Sequence, residues 1–134
     1  FQCAPELLKV YGEQQWSSPL ASGSHKVGTM IVCPCTMGTL SSIAMGSSDN
    51  LINRAADVML KEDRKLILVP REAPFSAIHL ENMLKLARLG VCILPPNPGF
   101  YFKPTQISEI VDFVVARILD QAKIEHKLQP RWGE

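Results

Sequence analysis

The sequence predicts an α/β domain built on a parallel sheet, and three observations point there. Apolar runs at Met30–Cys33, Leu66–Val69 and Val91–Leu94 each stop at a proline. Each then passes into a loop of small, polar or charged residues: PCTMGT, PREAPFS and PPNPGFY. Helix-patterned sequence follows all three. Continuous apolar runs of this length read as strands buried on both faces of a sheet, and their alternation with helices makes the sheet parallel with right-handed crossovers. Ligands of open α/β sheets collect beyond the carboxyl ends of the strands. The three loops therefore share the edge on which function is expected.

Along the chain, residues 1–26 carry little signal. Leu7, Leu8 and Val10 fit a helix end or a short strand, and WSSPLASGSH reads as a surface loop. The first strand is expected over Lys26–Cys33, with a short helix at Thr39–Ala44. GSSDN breaks the pattern before a helix over Leu51–Lys61. There Asn50, Arg54, Asp57 and Lys61 form one polar stripe, and Leu51, Ala55, Val58 and Met59 cover the apolar side. A second strand over Lys65–Val69 precedes a helix over Phe75–Leu89, whose expected buried stripe is Leu80, Met83, Leu84 and Ala87. Gly90 supplies its C-terminal stop. The third strand ends at Leu94. A last helix runs over Ile107–Gln121, with Ile107, Ile110, Val111, Val114 and Ile118 inward.

The chain of 134 residues is long enough for one core, and it is read as a single domain over 1–134. It opens at Phe1 in loop-like sequence with three readable strands, fewer than the five or six common in doubly wound sheets. The expectation is the carboxyl-terminal part of a longer domain. A net charge of +1 gives no electrostatic case for nucleic acid or an anionic membrane. No apolar stretch approaches the roughly 20 residues of a membrane span, so a soluble, cytoplasmic protein is expected. Cys3, Cys33, Cys35 and Cys92 show no zinc-knuckle spacing and are read as structural thiols, with Cys33 and Cys92 inside buried strands.

The loops carry the candidate chemistry. CPCTMGT leads from a strand into a helix and offers Thr36, Gly38 and Thr39. Hydroxyls, a glycine and helix N-terminal amides suit a phosphate or cofactor, and a plain strand–helix turn is the alternative. The loop matches neither a Walker motif nor GxGxxG. Arg71 and Glu72 stand just past a strand, where they either grip a ligand or pair on the surface. Tyr101 either flanks a ligand or plugs the core. Arg54, Lys61 and Arg117 are each solvated cations or, with Arg71, members of an anion pocket that needs no metal. GxSxG is absent, which argues against hydrolase chemistry.

These residues in this order closely resemble the UbiX family of flavin prenyltransferases. The matching text is CPCTMGTLSSIAMGSSDNLINRAADVMLKEDRKLILVPREAPFSAIHLENMLKLARLGV, then LPPNPGFY, VDFVVARILDQ and PRWGE, about three quarters of the chain. The resemblance implies a flavodoxin-like, Rossmann-type parallel sheet with helices on both faces. The family's first strand and GASG-type loop, and a glutamate used in its proton steps, lie upstream of Phe1, so the N-terminal strand–helix units are expected to be missing. It implies a metal-independent transferase that moves a dimethylallyl group from dimethylallyl phosphate to reduced FMN. The product is the prenylated-FMN cofactor of UbiD-type decarboxylases, which serve ubiquinone biosynthesis.

By the same resemblance, Thr36, Met37, Gly38, Thr39 and Arg71 would hold FMN. Tyr101, Arg117, Lys61, Arg54 and Trp132 would serve the prenyl phosphate, and Glu72 is the candidate catalytic group. A homo-oligomer, a dodecamer with sites at subunit contacts, is implied as well. Two other functions compete. One is a flavin-dependent cysteine decarboxylase of the same superfamily, whose PASANT-like loop is replaced here by PCTMGT. The other is a truncated, non-catalytic paralogue.

Overall fold

A computed structural model describes residues 4–129. Three parallel strands, β1 (Thr29–Cys35), β2 (Lys65–Pro70) and β3 (Cys92–Ile93), lie side by side in that order. Four α-helices accompany them: α1 (Met37–Met45), α2 (Leu51–Lys61), α3 (Ala77–Arg88) and α4 (Ile107–Gln121). Helices cover both faces, as the flavodoxin-like expectation requires.

The central strand shows how the layers form. Leu66, Ile67, Leu68 and Val69 are all buried, and their alternation divides them between two cores. Leu66 and Leu68 join Val32, Leu40, Ile43, Ala56, Met59, Met83 and Leu86, which belong to β1, α1, α2 and α3. Ile67 and Val69 face the other way, onto Ile118 and Val114 of α4. Burying a side chain of this size contributes about 1.5–3 kcal/mol, so β2 anchors the domain.

β1 departs from expectation. It starts later than Lys26, runs to Cys35, and its register with β2 shifts between Val32 and Cys35. Val32 and Cys35 are buried, whereas Ile31, Cys33 and Pro34 are exposed. The reason is coverage: α4 packs over β2 and β3 and leaves that face of β1 open among the described residues. Cys33 is therefore a surface thiol rather than a core one, Cys92 is half-buried, and Cys35 is the fully buried cysteine. Cys3 lies outside the described residues.

The helices end where their caps dictate. Thr36, Asn50 and Ser76 accept backbone N–H bonds at the starts of α1, α2 and α3. Ser76 and His79 form a reciprocal capping box, in which the His79 Nδ1 accepts from the Ser76 N–H at 3.2 Å. Gly90 adopts φ +84° directly after α3, as its C-terminal position demands. α2 and α4 match their expected limits, while α3 is shorter than Phe75–Leu89.

Two expected stripes need correction. On α3 the buried residues are Met83 and Leu86, while Leu80 and Leu84 remain about half exposed and Ala87 is exposed. The helix carries two adjacent apolar faces, and the sheet takes the one centred on Leu86. On α4, Ile107 and Val111 are exposed because the helix begins beyond the short β3, and Ile118 and Val114 reach the sheet. The expected strand over Val91–Leu94 shrinks to two residues. One further ladder bond, Leu94 N–H to the Leu68 carbonyl at 2.9 Å, precedes Pro95, which has no N–H to give.

Candidate functional site

Parallel strands direct every strand-to-helix loop to the carboxyl edge of the sheet, and there the site is built. After β1, Thr36 caps α1: its Oγ1 accepts from the Thr39 N–H at 3.1 Å and shares a 3.0 Å hydrogen bond with the Thr39 hydroxyl. Leu40 N–H closes the first helical bond onto the Thr36 carbonyl. The N–H groups of Met37 and Gly38 have no partner among the described residues, leaving an anion-seeking end on a nine-residue helix. Around Gly38 the space is open, since an added Cβ would meet only Thr36 Oγ1 at 3.8 Å. Met37 buries its side chain in the core, so its N–H is what it offers the loop.

The next loop is tied to this one. The Arg71 N–H donates to the Cys35 carbonyl at 3.3 Å, and Cys35 pairs in register with Pro70. Above that tether the Arg71 side chain is exposed, and its guanidinium has no ion pair or hydrogen bond among the described residues. Glu72 is exposed too, with Oε1 accepting from the Ala73 N–H at 3.1 Å. Both line a cleft of about 300 Å³, closed by Phe75 on one side and by Pro95, Pro96 and Asn97 on the other.

A second cleft of about 330 Å³ opens between the β3 segment and α4. Leu94, Asn97, Phe113, Val114, Arg117 and Gln121 line it, among others. Pro95 and Asn97 belong to both clefts and join them. Tyr101 meets Phe113 edge-on with ring centroids 6.0 Å apart, and Phe102 stacks on Phe113 at 5.6 Å. Gly99 is needed here, because a Cβ would come within 2.6 Å of the Tyr101 ring. Arg117 pairs with Asp120 at 2.8 Å.

Thr36, Gly38, Thr39, Arg71, Glu72 and Tyr101 thus lie on the loops of the carboxyl edge, while Arg117 stands farther along α4, in the cleft that α4 forms with the β3 segment. Arg54 and Lys61 do not join them within this chain. Arg54 donates to the Ala21 carbonyl at 3.0 Å and pairs with Asp57, while Lys61 pairs with Glu62. α2 descends from the carboxyl edge to the start of β2, so Lys61 ends at the opposite side of the sheet. The single anion pocket of Arg54, Lys61, Arg71 and Arg117 is not formed among the described residues of this chain. Trp132 lies outside the described residues.

Titration follows contact. Burial pushes the Cys35 thiol up to about 11. A hydrogen bond from Lys61, then its charge, lowers Glu62. Backbone N–H donation from Gln106 and then Thr105 lowers Glu109, the capping carboxylate of α4.

Asn97, Phe113 and Gln121 line the candidate clefts and were missed by sequence reasoning. Asn97 had a signal, its place three residues past Leu94 in the turn closed by its N–H on the Pro95 carbonyl. The other two depend on how α4 is rotated, which periodicity does not settle.

The chain is similar to known proteins in both sequence and fold. The family described as Flavoprotein matches residues 4–119. The flavin prenyltransferase UbiX of Pseudomonas aeruginosa is 58% identical over 127 residues, covering 95% of this chain and 61% of that protein. A structure described as a dodecameric FMN-dependent UbiX-like decarboxylase from Escherichia coli O157:H7 superposes with TM-score 0.89 at 51% identity, over 92% of this chain and 67% of that one. AnUbiX (PadA1), solved in complex with FMN and dimethylallyl pyrophosphate, gives 0.90 at 45%, over 92% and 66%. The chain spans about three fifths of the length of the curated relatives it matches. By sequence and fold alike, it belongs to the Flavoprotein family and, within that family, to the UbiX-type flavin prenyltransferases.

Proposed function

We propose that this chain belongs to an enzyme that transfers a dimethylallyl group from dimethylallyl phosphate to reduced FMN. The observation that carries the reading is a set of donors at and beside the carboxyl edge: the open α1 N-terminus, the unpaired Arg71 guanidinium, and two clefts joined at Pro95 and Asn97, the second of which Arg117 lines from α4. That donor set suits FMN, because unpaired amides, hydroxyls and a free guanidinium are what an anionic, carbonyl-bearing ligand requires.

Reduced FMN, when bound, supplies the nucleophilic positions N5 and C6. The chain's own groups do the rest. Thr36, Thr39 and the amides of Met37 and Gly38 hold the flavin, with Arg71 beside them. Arg117 and Tyr101 take the prenyl phosphate. As the allylic C–O bond breaks, phosphate leaves with the electron pair, and arginine stabilises the charge that develops on it. Phe113 lines the cleft with Tyr101 edge-on against it, which puts aromatic rings beside a cationic five-carbon fragment. Glu72 is the carboxylate of this edge able to accept a proton released from the flavin. Arg54, Lys61 and Trp132 complete the phosphate side. Because Arg54 and Lys61 lie away from the cleft in one chain, they act from a neighbouring copy in a homo-oligomer, a dodecamer. The product passes to a UbiD-type decarboxylase of ubiquinone biosynthesis in the cytoplasm.

The full polypeptide, incubated anaerobically with reduced FMN and dimethylallyl phosphate, should return a flavin heavier by one prenyl unit. An unchanged flavin mass with FMN demonstrably bound would refute the transfer.

A further inference from the structure

α4 and the segment after it carry a chain of contacts that the catalytic reading does not use. Arg117 Nη1 donates to Asp120 Oδ2 at 2.8 Å, and His126 Nε2 lies 3.0 Å from the other oxygen, Oδ1. The Leu128 N–H donates to His126 Nδ1 at 3.4 Å, which leaves the ring proton on Nε2, facing the carboxylate. The His126 side chain is 14% exposed, far less than the 55% of Arg117 and the 41% of Asp120. The same segment is pinned again where the Gln129 amide donates to the Glu109 carbonyl at 3.3 Å. The tail thus folds back along α4 and seats one ring against one carboxylate.

An exposed Arg–Asp pair one helical turn apart ordinarily contributes little, because both side chains must be ordered to form it. Here the carboxylate is ordered by a second partner. With each oxygen taken from a different direction, Asp120 has one orientation, and it fixes the guanidinium through Nη1. Four of the five N–H donors of Arg117 remain for a ligand. Arg117 lines the β3–α4 cleft, so what is fixed is a cation facing a cavity.

We infer that Asp120 is a positioning residue, held by His126, that sets the Arg117 guanidinium across the β3–α4 cleft to receive the phosphate of the prenyl donor. This rests on the reading of Arg117 as a donor-phosphate ligand.

The test uses the full FMN-loaded polypeptide. Asp120→Ala should raise KM for dimethylallyl phosphate, and the inhibition constant of inorganic phosphate, by about 3- to 10-fold, with kcat changed less than about twofold. FMN affinity and the melting curve report that the fold is intact. His126→Ala should move KM in the same direction, and His126→Gln, which keeps an N–H donor, should restore it. Asp120→Asn, the milder change, should fall between wild type and alanine. In an Arg117→Ala background, Asp120→Ala should add nothing. A KM unchanged or lowered by Asp120→Ala, or an effect that persists without Arg117, overturns the inference while leaving prenyl transfer standing. If Arg117→Ala itself leaves KM and phosphate inhibition unchanged, the assignment of Arg117 fails and this inference falls with it.

Discussion

Replacing Arg71 with alanine should weaken FMN binding strongly and leave the fold almost untouched. Both halves follow from where this side chain sits. Its guanidinium contacts no charged or polar group among the described residues, so truncation strands no buried partner. The loop is held instead by the Arg71 N–H on the Cys35 carbonyl, a bond alanine keeps. Surface changes of this kind fall within about 0.5 kcal/mol of wild type. Towards a bound anion the balance differs. A hydrogen bond to a charged group contributes about 1.5–3 kcal/mol, or about 10- to 150-fold in the dissociation constant. Because the site is open to solvent, the loss should shrink as salt rises. Arg71→Lys keeps the charge without the planar fork and should fall between the two. Flavin fluorescence titration with thermal melts of the flavin-free protein measures both quantities. An FMN affinity within twofold of wild type would refute the argument, as would a melting curve shifted as far as a core substitution shifts it.

Thr36→Ala removes the cap of α1 and should cost about 1 kcal/mol in denaturant unfolding, a loss Thr36→Ser largely avoids. Leu68→Ala, at a fully buried position in the central strand, should cost about 2–5 kcal/mol by the same measurement. Brief iodoacetamide treatment of the native protein should label exposed Cys33 and spare Cys35, as read by peptide mass spectrometry. The Cys35 thiol rises from 9.0 to about 11, so its thiolate is about a hundredfold scarcer below pH 9 than without burial. The raised value means the folded state favours the protonated thiol. Its contribution to stability is therefore complete below pH 9 and is lost as pH climbs through about 11. Cys35→Ser should flatten that alkaline decline in unfolding free energy.

Much of this was legible in the residues themselves. Period and punctuation located α2 and α4, because the polar stripe of the one, the apolar stripe of the other and their flanking loops leave one reading. The prolines after each apolar run located the carboxyl edge of the sheet, since parallel strands send every such loop to one side. The sequence could not say which of two apolar faces α3 would bury, or that Cys33 would face outward. Both depend on which neighbour covers which face, a property of several segments at once. The split of the cations was equally hidden. Lys61 and Arg71 are close in sequence, yet α2 leaves one beside the start of β2 while β2 delivers the other to the carboxyl edge. Periodicity reports the direction of a side chain relative to its own helix or strand. Whether that direction meets a cleft, a carboxylate or water is decided by the packing of segments distant in the chain, as with Asn97 between two clefts and His126 against Asp120.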